Sequence, residues 1–229
     1  MSRVAVVIPA YDEEASVARI VRGARRHGMV IVVDDGSRDA TADQAEAAGA
    51  RVLRHEENRG YDSALRTGFE HAVDQGFEVV VTLDADAQHD PDRVASFVAP
   101  IAAGRVDVVL GVRGSFQRPS EQLFGAYVRA RYGVPDILCG MKAFSRSAVV
   151  RHRPALVWES IGTGLALECL RAHELFETVD VAVRPRAGAS RFGRGAQAEL
   201  RILRVLFEAV LRDVRGAARL TAAPRQAAR

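Results

Sequence analysis

An apolar run at residues 79–83 is followed at once by two carboxylates, Asp84 and Asp86, which are separated by a single residue. A continuous run of valine and leucine is typical of a strand covered on both faces, and open α/β sheets bind ligands at the carboxyl ends of such strands. The two acids lie one strand repeat apart, so both can face one side and share a divalent cation with the amide oxygen of Gln88. An Asp-x-Asp triplet alone is more often a solvated turn, so this assignment depends on the rest of the chain.

Strand and helix patterns alternate through the first half of the chain. Helices follow the first four of the five predicted strands and end near 27, 48, 75 and 103, and the strands are predicted at residues 4–8, 29–33, 51–54, 79–83 and 106–110. Four strand-helix units in succession, joined by right-handed crossovers, predict an α/β fold with a mostly parallel central sheet flanked by helices. With 229 residues, the chain is long enough for a single nucleotide-binding domain of this kind.

Several classes of function are disfavoured by motifs that the sequence lacks. Neither G-x-G-x-x-G nor G-x-x-x-x-G-K-[ST] follows a predicted strand, and the glycine-rich loop expected of a nucleotidyltransferase is missing after the first strand. Nucleic acid is not an expected partner, because no basic block interleaved with aromatic residues occurs. A nucleotide held here would need acids for its base and ribose, a metal for its phosphates, and arginines beside them.

The cysteines and the hydropathy pattern bear on the compartment. Cys139 and Cys169 form no metal-ligand or redox motif, which favours a reducing environment. No stretch reaches the roughly 18 apolar residues that a membrane span requires, and the N-terminus enters a strand pattern without a signal region. We therefore expect a cytoplasmic protein.

The loop after the first strand has two interpretations that the sequence leaves open. The acids Asp12, Glu13 and Glu14 fall in the first turn of the following helix, where they complement the positive end of the helix dipole. Alternatively, the loop is functional and Tyr11 is a stacking surface for a nucleotide base.

Several motifs, taken together and in their order, resemble those of the family 2 glycosyltransferases with the GT-A fold, and among these the polyprenyl-phosphate sugar transferases such as dolichol-phosphate mannose synthase. Each motif alone is weak, but their shared order over about residues 4–192 is specific. The motifs are Ile8-Pro9-Ala10-Tyr11-x-Glu13-Glu14, Val32-Val33-Asp34-Asp35-Gly36-Ser37, Asn58-x-Gly60-x-x-x-Ala64-x-x-x-Gly68, Asp84-Ala85-Asp86-Ala87-Gln88, Gly111-x-Arg113, Asp136-x-x-Cys139-Gly140-x-Lys142 and Arg186-x-Gly188-x-Ser190-Arg191.

The resemblance implies a hexosyltransferase with a nucleotide-sugar donor, either GDP-mannose or a UDP-sugar, and a Mg²⁺ or Mn²⁺ cofactor. The residues that it assigns to the metal are Asp84, Asp86 and Gln88. The residues that it assigns to the nucleotide-sugar are Pro9, Tyr11, Glu13, Asp34, Asp35, Asp84, Ala85, Asp86, Arg113, Arg186, Ser190 and Arg191. Arginine suits the phosphates because its planar fork can donate two parallel hydrogen bonds.

The resemblance also implies how the sugar is transferred, with Asp86, Arg113 and Asp136 as the catalytic residues. A polyprenyl phosphate is substantially dianionic near neutral pH, because its second pKa is about 6, and needs little help from a base. In-line attack at C1 would invert the anomeric carbon. A soluble or glycan hydroxyl acceptor would instead use Asp136 as general base. A nucleotide-sugar-binding protein without catalysis is a third interpretation.

Three departures from the family pattern concern the acceptor and the loops. Asp12 stands where the family usually has asparagine, and Asp62 stands where it usually has glycine or another small or basic residue. The segment 114–132 is shorter than expected in the region that shapes the acceptor surface, so the acceptor is the least constrained part of the assignment.

The end of the chain predicts a basic amphipathic helix. Apolar residues recur at helical spacing within 199–219, and arginines lie largely elsewhere on the helical wheel. We expect a GT-A domain at 1–195, this helix at 196–220 and a disordered tail at 221–229. The helix either packs on the domain, which we slightly favour, or lies on an anionic membrane at its inner face, near a lipid acceptor. The oligomeric state is left open.

Overall fold

The computed structural model describes residues 2–157, 159–183 and 196–222, with the side chains of the last helix described as far as Arg215. Within these ranges the strands are β1 (Val4–Ala10), β2 (Met29–Asp34), β3 (Arg51–Arg54), β4 (Val79–Thr82), β5 (Val108–Arg113), β6 (Lys142–Ser145) and β7 (Phe176–Val181). The helices are α1 (Val17–Ala24), α2 (Thr41–Ala47), α3 (Tyr61–Asp74), α4 (Val94–Ala102), α5 (Pro119–Tyr132), α6 (Arg146–Arg151), α7 (Ile161–Arg171) and α8 (Ala196–Ala222). Short 3₁₀ turns at Pro91–Arg93 and Arg153–Val157 precede α4 and α7.

The described strands form one sheet in the order β3-β2-β1-β4-β6-β5-β7. Strand β6 runs antiparallel to both of its neighbours, and the other adjacent pairs are parallel. The predicted α/β fold with a mostly parallel central sheet is confirmed. Because β6 is the only antiparallel member of this sheet, its amino end lies at the edge where β1, β2, β4 and β5 end. That edge collects the residues discussed below.

Apolar side chains cover both faces of the sheet, as the valine-rich strands predict. Along β1, Val7 faces the layer that contains α3, α5, α7 and α8, while Val6 and Ile8 face the layer that contains α1, α2 and α4. Helix α3 comes close to the sheet at Gly68, where an added Cβ atom would lie 2.2 Å from Val7 Cγ1. A side chain at this position would push α3 away from the strands.

Helix α8 packs against α5 and α7 through an apolar face and one buried carboxylate. Its buried face contributes Ile202, Val205, Leu206 and Ala209. The Asp213 carboxylate accepts hydrogen bonds from the hydroxyls of Tyr127 and Tyr132 on α5 and from Arg171 on α7. The opposite side of α8 exposes large apolar residues and arginines, namely Leu200, Leu203, Phe207, Val214, Arg201, Arg204, Arg212 and Arg215.

The helices described here do not include one with the length and apolar character that crossing a membrane would require. The ranges 1–195, 196–220 and 221–229, proposed as domain, helix and tail, stay a prediction.

Candidate active site

The loops after β1 and β2 are joined by hydrogen bonds into one surface. The Asp12 backbone N–H donates to Ser37 Oγ at 2.9 Å, and the Arg38 N–H donates to Asp12 Oδ1 at 2.8 Å. The Glu13 N–H donates to Thr41 Oγ1 at 2.7 Å. Asp12 has a φ of 47°, a left-handed conformation that aspartate and asparagine tolerate better than most residues. Aspartate in place of the family's asparagine is therefore compatible with this turn.

Two residues predicted to contact the nucleotide lie near this surface, one in β1 and one just beyond it. Pro9 is buried within the strand, and Tyr11 is partly exposed in the loop that follows it. Their contact with a nucleotide stays a prediction.

The two carboxylates at the end of β2 are buried and hold neighbouring loops. Asp35 Oδ1 lies 2.7 Å from His55 Nδ1 and accepts the Arg59 N–H at 3.0 Å, and its Oδ2 accepts the Gly60 N–H at 2.7 Å. Asp34 Oδ1 accepts the Ser37 N–H at 3.3 Å. Asp35 thus fixes the entry to α3, a structural role that the sequence did not indicate. The contact of Asp34 and Asp35 with a nucleotide stays a prediction.

The Asp84 carboxylate lies just beyond β4, and each of its two oxygens has a close neighbour. Tyr61 donates its hydroxyl hydrogen to Asp84 Oδ1 at 2.9 Å, and His89 Nε2 lies 3.8 Å from Oδ2. A Cβ atom at Gly140 would lie only 2.0 Å from Oδ2, so the Gly140 backbone lies directly against the carboxylate. Tyr61 is 45% exposed as a residue, but desolvation and the negative charge of Asp84 raise the pKa of its hydroxyl well above the ordinary value. The Tyr61 hydroxyl is therefore a hydrogen-bond donor at neutral pH.

The rest of the acidic motif forms a tight turn. The Gln88 N–H donates to Asp86 Oδ1 at 3.0 Å, and Ala87 between them has a left-handed φ of 65°. His89 is buried, and its Nδ1 has no hydrogen-bond partner among the residues that the structure describes.

The donor atoms of this motif fit a hard divalent cation. Two carboxylates and an amide oxygen are the ligand types that Mg²⁺ and Mn²⁺ prefer. No group of three or more His, Cys, Asp or Glu side chains within the described ranges is arranged to hold a metal. The residue types of Asp84, Asp86 and Gln88 suit part of a coordination shell that the phosphate oxygens of a ligand would complete, and their binding of a metal stays a prediction.

Arg113 and Asp136 form an ion pair at the end of β5, in which the carboxylate is buried and the arginine partly buried. Asp136 Oδ2 accepts from Arg113 Nε at 2.7 Å and its Oδ1 accepts from Nη2 at 3.2 Å, while the Leu138 N–H donates to Oδ1 at 2.9 Å. Burial alone would lower the pKa of Arg113, but the hydrogen bond and charge of Asp136 outweigh it and the pKa is raised. The guanidinium also lies 3.7 Å from the buried Glu121. Asp136 is only 1% exposed, so its carboxylate is engaged by Arg113 rather than presented to solvent.

Lys142 is a buried residue of this edge to which the sequence interpretation assigned no role. It is the single lysine of the chain, and its ammonium group donates to the Cys139 carbonyl oxygen. Thr82 on β4 donates to the next carbonyl, that of Gly140, at 2.6 Å. Burial lowers the pKa of Lys142. Lys142 and Thr82 together fix the loop that carries Asp136 and Gly140. In the sequence, the signal that could have indicated a role for Lys142 is that it is a single lysine among many arginines.

The order of the strands brings most of the predicted site residues to one edge of the sheet. The ends of β2, β1, β4 and β5 and the start of β6 follow one another there, carrying Asp35, Tyr11, Asp84, Arg113 and Lys142. Three predicted phosphate-binding residues lie outside the described residues, namely Arg186, Ser190 and Arg191.

Asp62, the second departure from the family pattern, has a structural role. Its Oδ1 accepts the Ile161 N–H at 2.9 Å and so joins the start of α3 to the start of α7. Helix α5 occupies most of the short segment 114–132, and its Glu121 lies beside Arg113.

The family model described as glycosyl transferase family 2 matches residues 5–151. Among curated proteins, the chain is 29% identical over 175 residues to a UDP-N-acetylglucosamine–dolichyl-phosphate N-acetylglucosaminyltransferase of Methanococcus voltae, a match that covers 63% of this chain and 70% of the relative. It is 32% identical over 166 residues to an undecaprenyl-phosphate 4-deoxy-4-formamido-L-arabinose transferase of Shewanella sediminis, covering 64% of this chain and 49% of the relative. The chain thus spans about half the length of this second relative.

Solved structures share the fold. A glucosyl-3-phosphoglycerate synthase from Mycobacterium tuberculosis, in complex with Mn²⁺, UDP and glucosyl-3-phosphoglycerate, superposes with a TM-score of 0.72 at 23% identity, covering 92% of this chain and 79% of that one. The same enzyme with Mg²⁺ and UDP gives a TM-score of 0.72 at 22% identity, covering 91% and 79%. At these identities the likeness establishes the fold.

Proposed function

This chain belongs to glycosyl transferase family 2, and from that premise we propose that it transfers a hexose from a nucleotide-sugar, GDP-mannose or a UDP-sugar, to a polyprenyl phosphate with inversion at C1. The observation that carries the proposal is the gathering of the acidic motif and the Arg113–Asp136 pair at one edge of the sheet. Relatives named for transfer to dolichyl and undecaprenyl phosphate support the choice of acceptor.

In the proposed complex the loops after β1 and β2 receive the nucleotide, and Asp84, Asp86 and Gln88 hold Mg²⁺ or Mn²⁺ on its diphosphate. When bound, the cation neutralises charge that develops on the diphosphate as the bond to the sugar breaks. Arg113, Arg186, Ser190 and Arg191 are proposed to contact the phosphates. The residues of the edge act by positioning the donor and by fixed charge.

The environment of Asp136 favours the phosphate acceptor over a hydroxyl acceptor. A general base must be free to take a proton, whereas both Asp136 oxygens accept hydrogen bonds from Arg113. A phosphate nucleophile needs no such base, and Asp136 then orients the Arg113 guanidinium. The prediction is that Asp136→Asn retains donor binding and loses only modestly in turnover with polyprenyl phosphate. A severe loss of turnover with retained donor binding would instead indicate a hydroxyl acceptor.

A panel of GDP- and UDP-sugars tests the donor and the metal together. A ligand that binds the native state raises the melting temperature, so at least one donor should do so only with Mn²⁺ present. Absence of a metal-dependent shift with every donor would contradict the proposal. Metal-dependent hydrolysis of the nucleotide-sugar that raises the melting temperature would exclude a function limited to binding.

We also propose a peripheral contact between α8 and the cytoplasmic face of an anionic membrane. Apolar side chains such as Phe207, 63% exposed, lie on the same open side of the helix as exposed arginines, a combination that suits an interfacial helix. Phe207→Glu should weaken flotation with vesicles that contain phosphatidylglycerol, whereas Val150→Glu on α6, an exposed apolar residue elsewhere, should not. Equal flotation of the two variants would refute the contact.

A further inference from the structure

We infer that Tyr61 is a positioning residue of this site, whose hydroxyl holds the Asp84 carboxylate in the orientation that receives the divalent cation. The inference rests on the proposed function, since it takes Asp84 as a metal ligand. Tyr61 is not part of the acidic motif and is 23 residues away from Asp84 in sequence. The two side chains meet through the fold.

The position of Tyr61 is set by the loop before α3. Tyr61 is the first residue of that helix, and Gly60 before it has a φ of 90°, a conformation open to glycine. The Gly60 N–H is held by Asp35 Oδ2 at 2.7 Å and by Asn58 Oδ1 at 3.0 Å. The buried end of β2 therefore fixes the start of α3, and the tyrosine reaches from there to the end of β4.

The Asp84 carboxylate has little freedom to turn. Its Oδ1 accepts the Tyr61 hydroxyl at 2.9 Å, and its Oδ2 lies against the Gly140 backbone, where an added Cβ would be 2.0 Å away. A carboxylate oxygen that accepts one hydrogen bond keeps a second lone pair for a cation. The hydroxyl can therefore stay in place when the cation binds, as outer partners of metal ligands do.

Removal of such an outer partner typically weakens metal affinity or activity by about 10- to 100-fold. Phenylalanine at position 61 removes one oxygen atom and keeps the ring. The chain offers a matched control at Tyr127, whose hydroxyl donates to the carboxylate of Asp213 between α5 and α8, away from the edge of the sheet. Tyr127→Phe makes the same chemical change on a carboxylate that is not assigned to the metal.

The experiment measures Mn²⁺ binding to the full chain by electron paramagnetic resonance, in parallel series with UDP and with GDP. We expect Tyr61→Phe to raise the Mn²⁺ concentration for half-saturation about tenfold or more, and Tyr127→Phe to leave it unchanged. Tyr61→Leu, which also lacks the ring, should match Tyr61→Phe if the hydroxyl is responsible. In turnover assays the half-saturating Mn²⁺ concentration should rise, with kcat at saturating Mn²⁺ largely kept.

Two outcomes would overturn the inference in different ways. If Tyr61→Phe binds Mn²⁺ as the unaltered chain does while Asp84→Asn does not, the tyrosine has no positioning role and the proposed function stands. If kcat falls with unchanged dependence on Mn²⁺, Tyr61 acts elsewhere in the reaction. Absence of Mn²⁺ binding by the unaltered chain with either nucleotide would refute the proposed function itself.

Discussion

Replacing Gly140 with alanine should abolish most metal-dependent activity by displacing the Asp84 carboxylate. The new Cβ atom would lie 2.0 Å from Asp84 Oδ2, and Cβ atoms essentially never approach other atoms more closely than 3.0 Å. One of the two groups must therefore move by at least about 1 Å. A misplacement of this size at a reacting centre can cost about 100-fold in rate. Gly140 has no positive φ, so the effect comes from the contact and not from backbone strain.

The assay compares Gly140→Ala with Gly162→Ala, a nearby glycine with room for a methyl group. At Gly162 an added Cβ would lie 3.6 Å from Leu65 Cδ2, which is an ordinary contact. Turnover of the donor and half-saturation by Mn²⁺ are measured for both variants. We expect a loss of about 100-fold in Gly140→Ala and little change in Gly162→Ala. Normal Mn²⁺ dependence and turnover in Gly140→Ala would refute the claim that Asp84 is held against this backbone.

Two further predictions concern pH and stability. Burial would raise the pKa of Asp213, but hydrogen bonds from Tyr127, Tyr132 and Arg171 outweigh this effect and lower the pKa. The ionised carboxylate therefore stabilises the fold at pH values above its unfolded pKa of about 3.9, and this contribution is lost as the pH falls through the lower folded pKa. Asp213→Asn should lower the free energy of unfolding by about 2 kcal/mol at pH 7. As the pH is lowered toward about 3, the melting temperature of this variant should fall less steeply than that of the unaltered chain, and an equal fall in the two proteins would contradict the prediction. Burial lowers the pKa of Lys142 in the folded chain. Between this folded pKa and the higher unfolded pKa, the unfolded chain binds more protons than the folded chain, so stability rises with pH. In denaturant unfolding, the free energy of unfolding of the unaltered chain should therefore increase relative to that of Lys142→Met between pH 7 and about pH 10. A difference that stays constant with pH would contradict this prediction.

The fold was predictable where the pattern was long and regular. The first four strand-helix units follow from apolar runs and helical spacing, and their order confirms the mostly parallel sheet. Strand β7 was not predicted, and neither was β6, which lies beyond the regular strand-helix alternation from which the first strands were recognised. The assignment of β6 depends on pairing with β4 and β5, which are distant in sequence. Pairing of this kind has no local signal.

The site was predictable where a residue follows a strand directly. Asp84 and Asp86 were found because the carboxyl ends of buried strands meet at one edge. Lys142 belongs to the motif that begins at Asp136, but the contacts of Tyr61 with Asp84 and of Lys142 with Cys139 were not predicted, because only the folded chain forms them. The metal, nucleotide and catalytic roles of the predicted residues stay predictions.

The charges at the edge of the sheet explain why the proposed reaction should depend on a metal. Arg113 lies between the buried carboxylates of Asp136 and Glu121, and Glu121 is shared with Arg118, so the positive charge of Arg113 is already largely balanced. The Lys142 ammonium is buried against a backbone carbonyl, and its pKa is lowered. Neither cation alone can offset both a donor diphosphate and a dianionic acceptor phosphate in a site of low dielectric. Under the proposed function, a divalent cation on Asp84 and Asp86 would add to the charge that Arg186 and Arg191 are proposed to bring to the phosphates, so we expect changes at Tyr61 or Gly140 that displace the Asp84 carboxylate to reduce turnover.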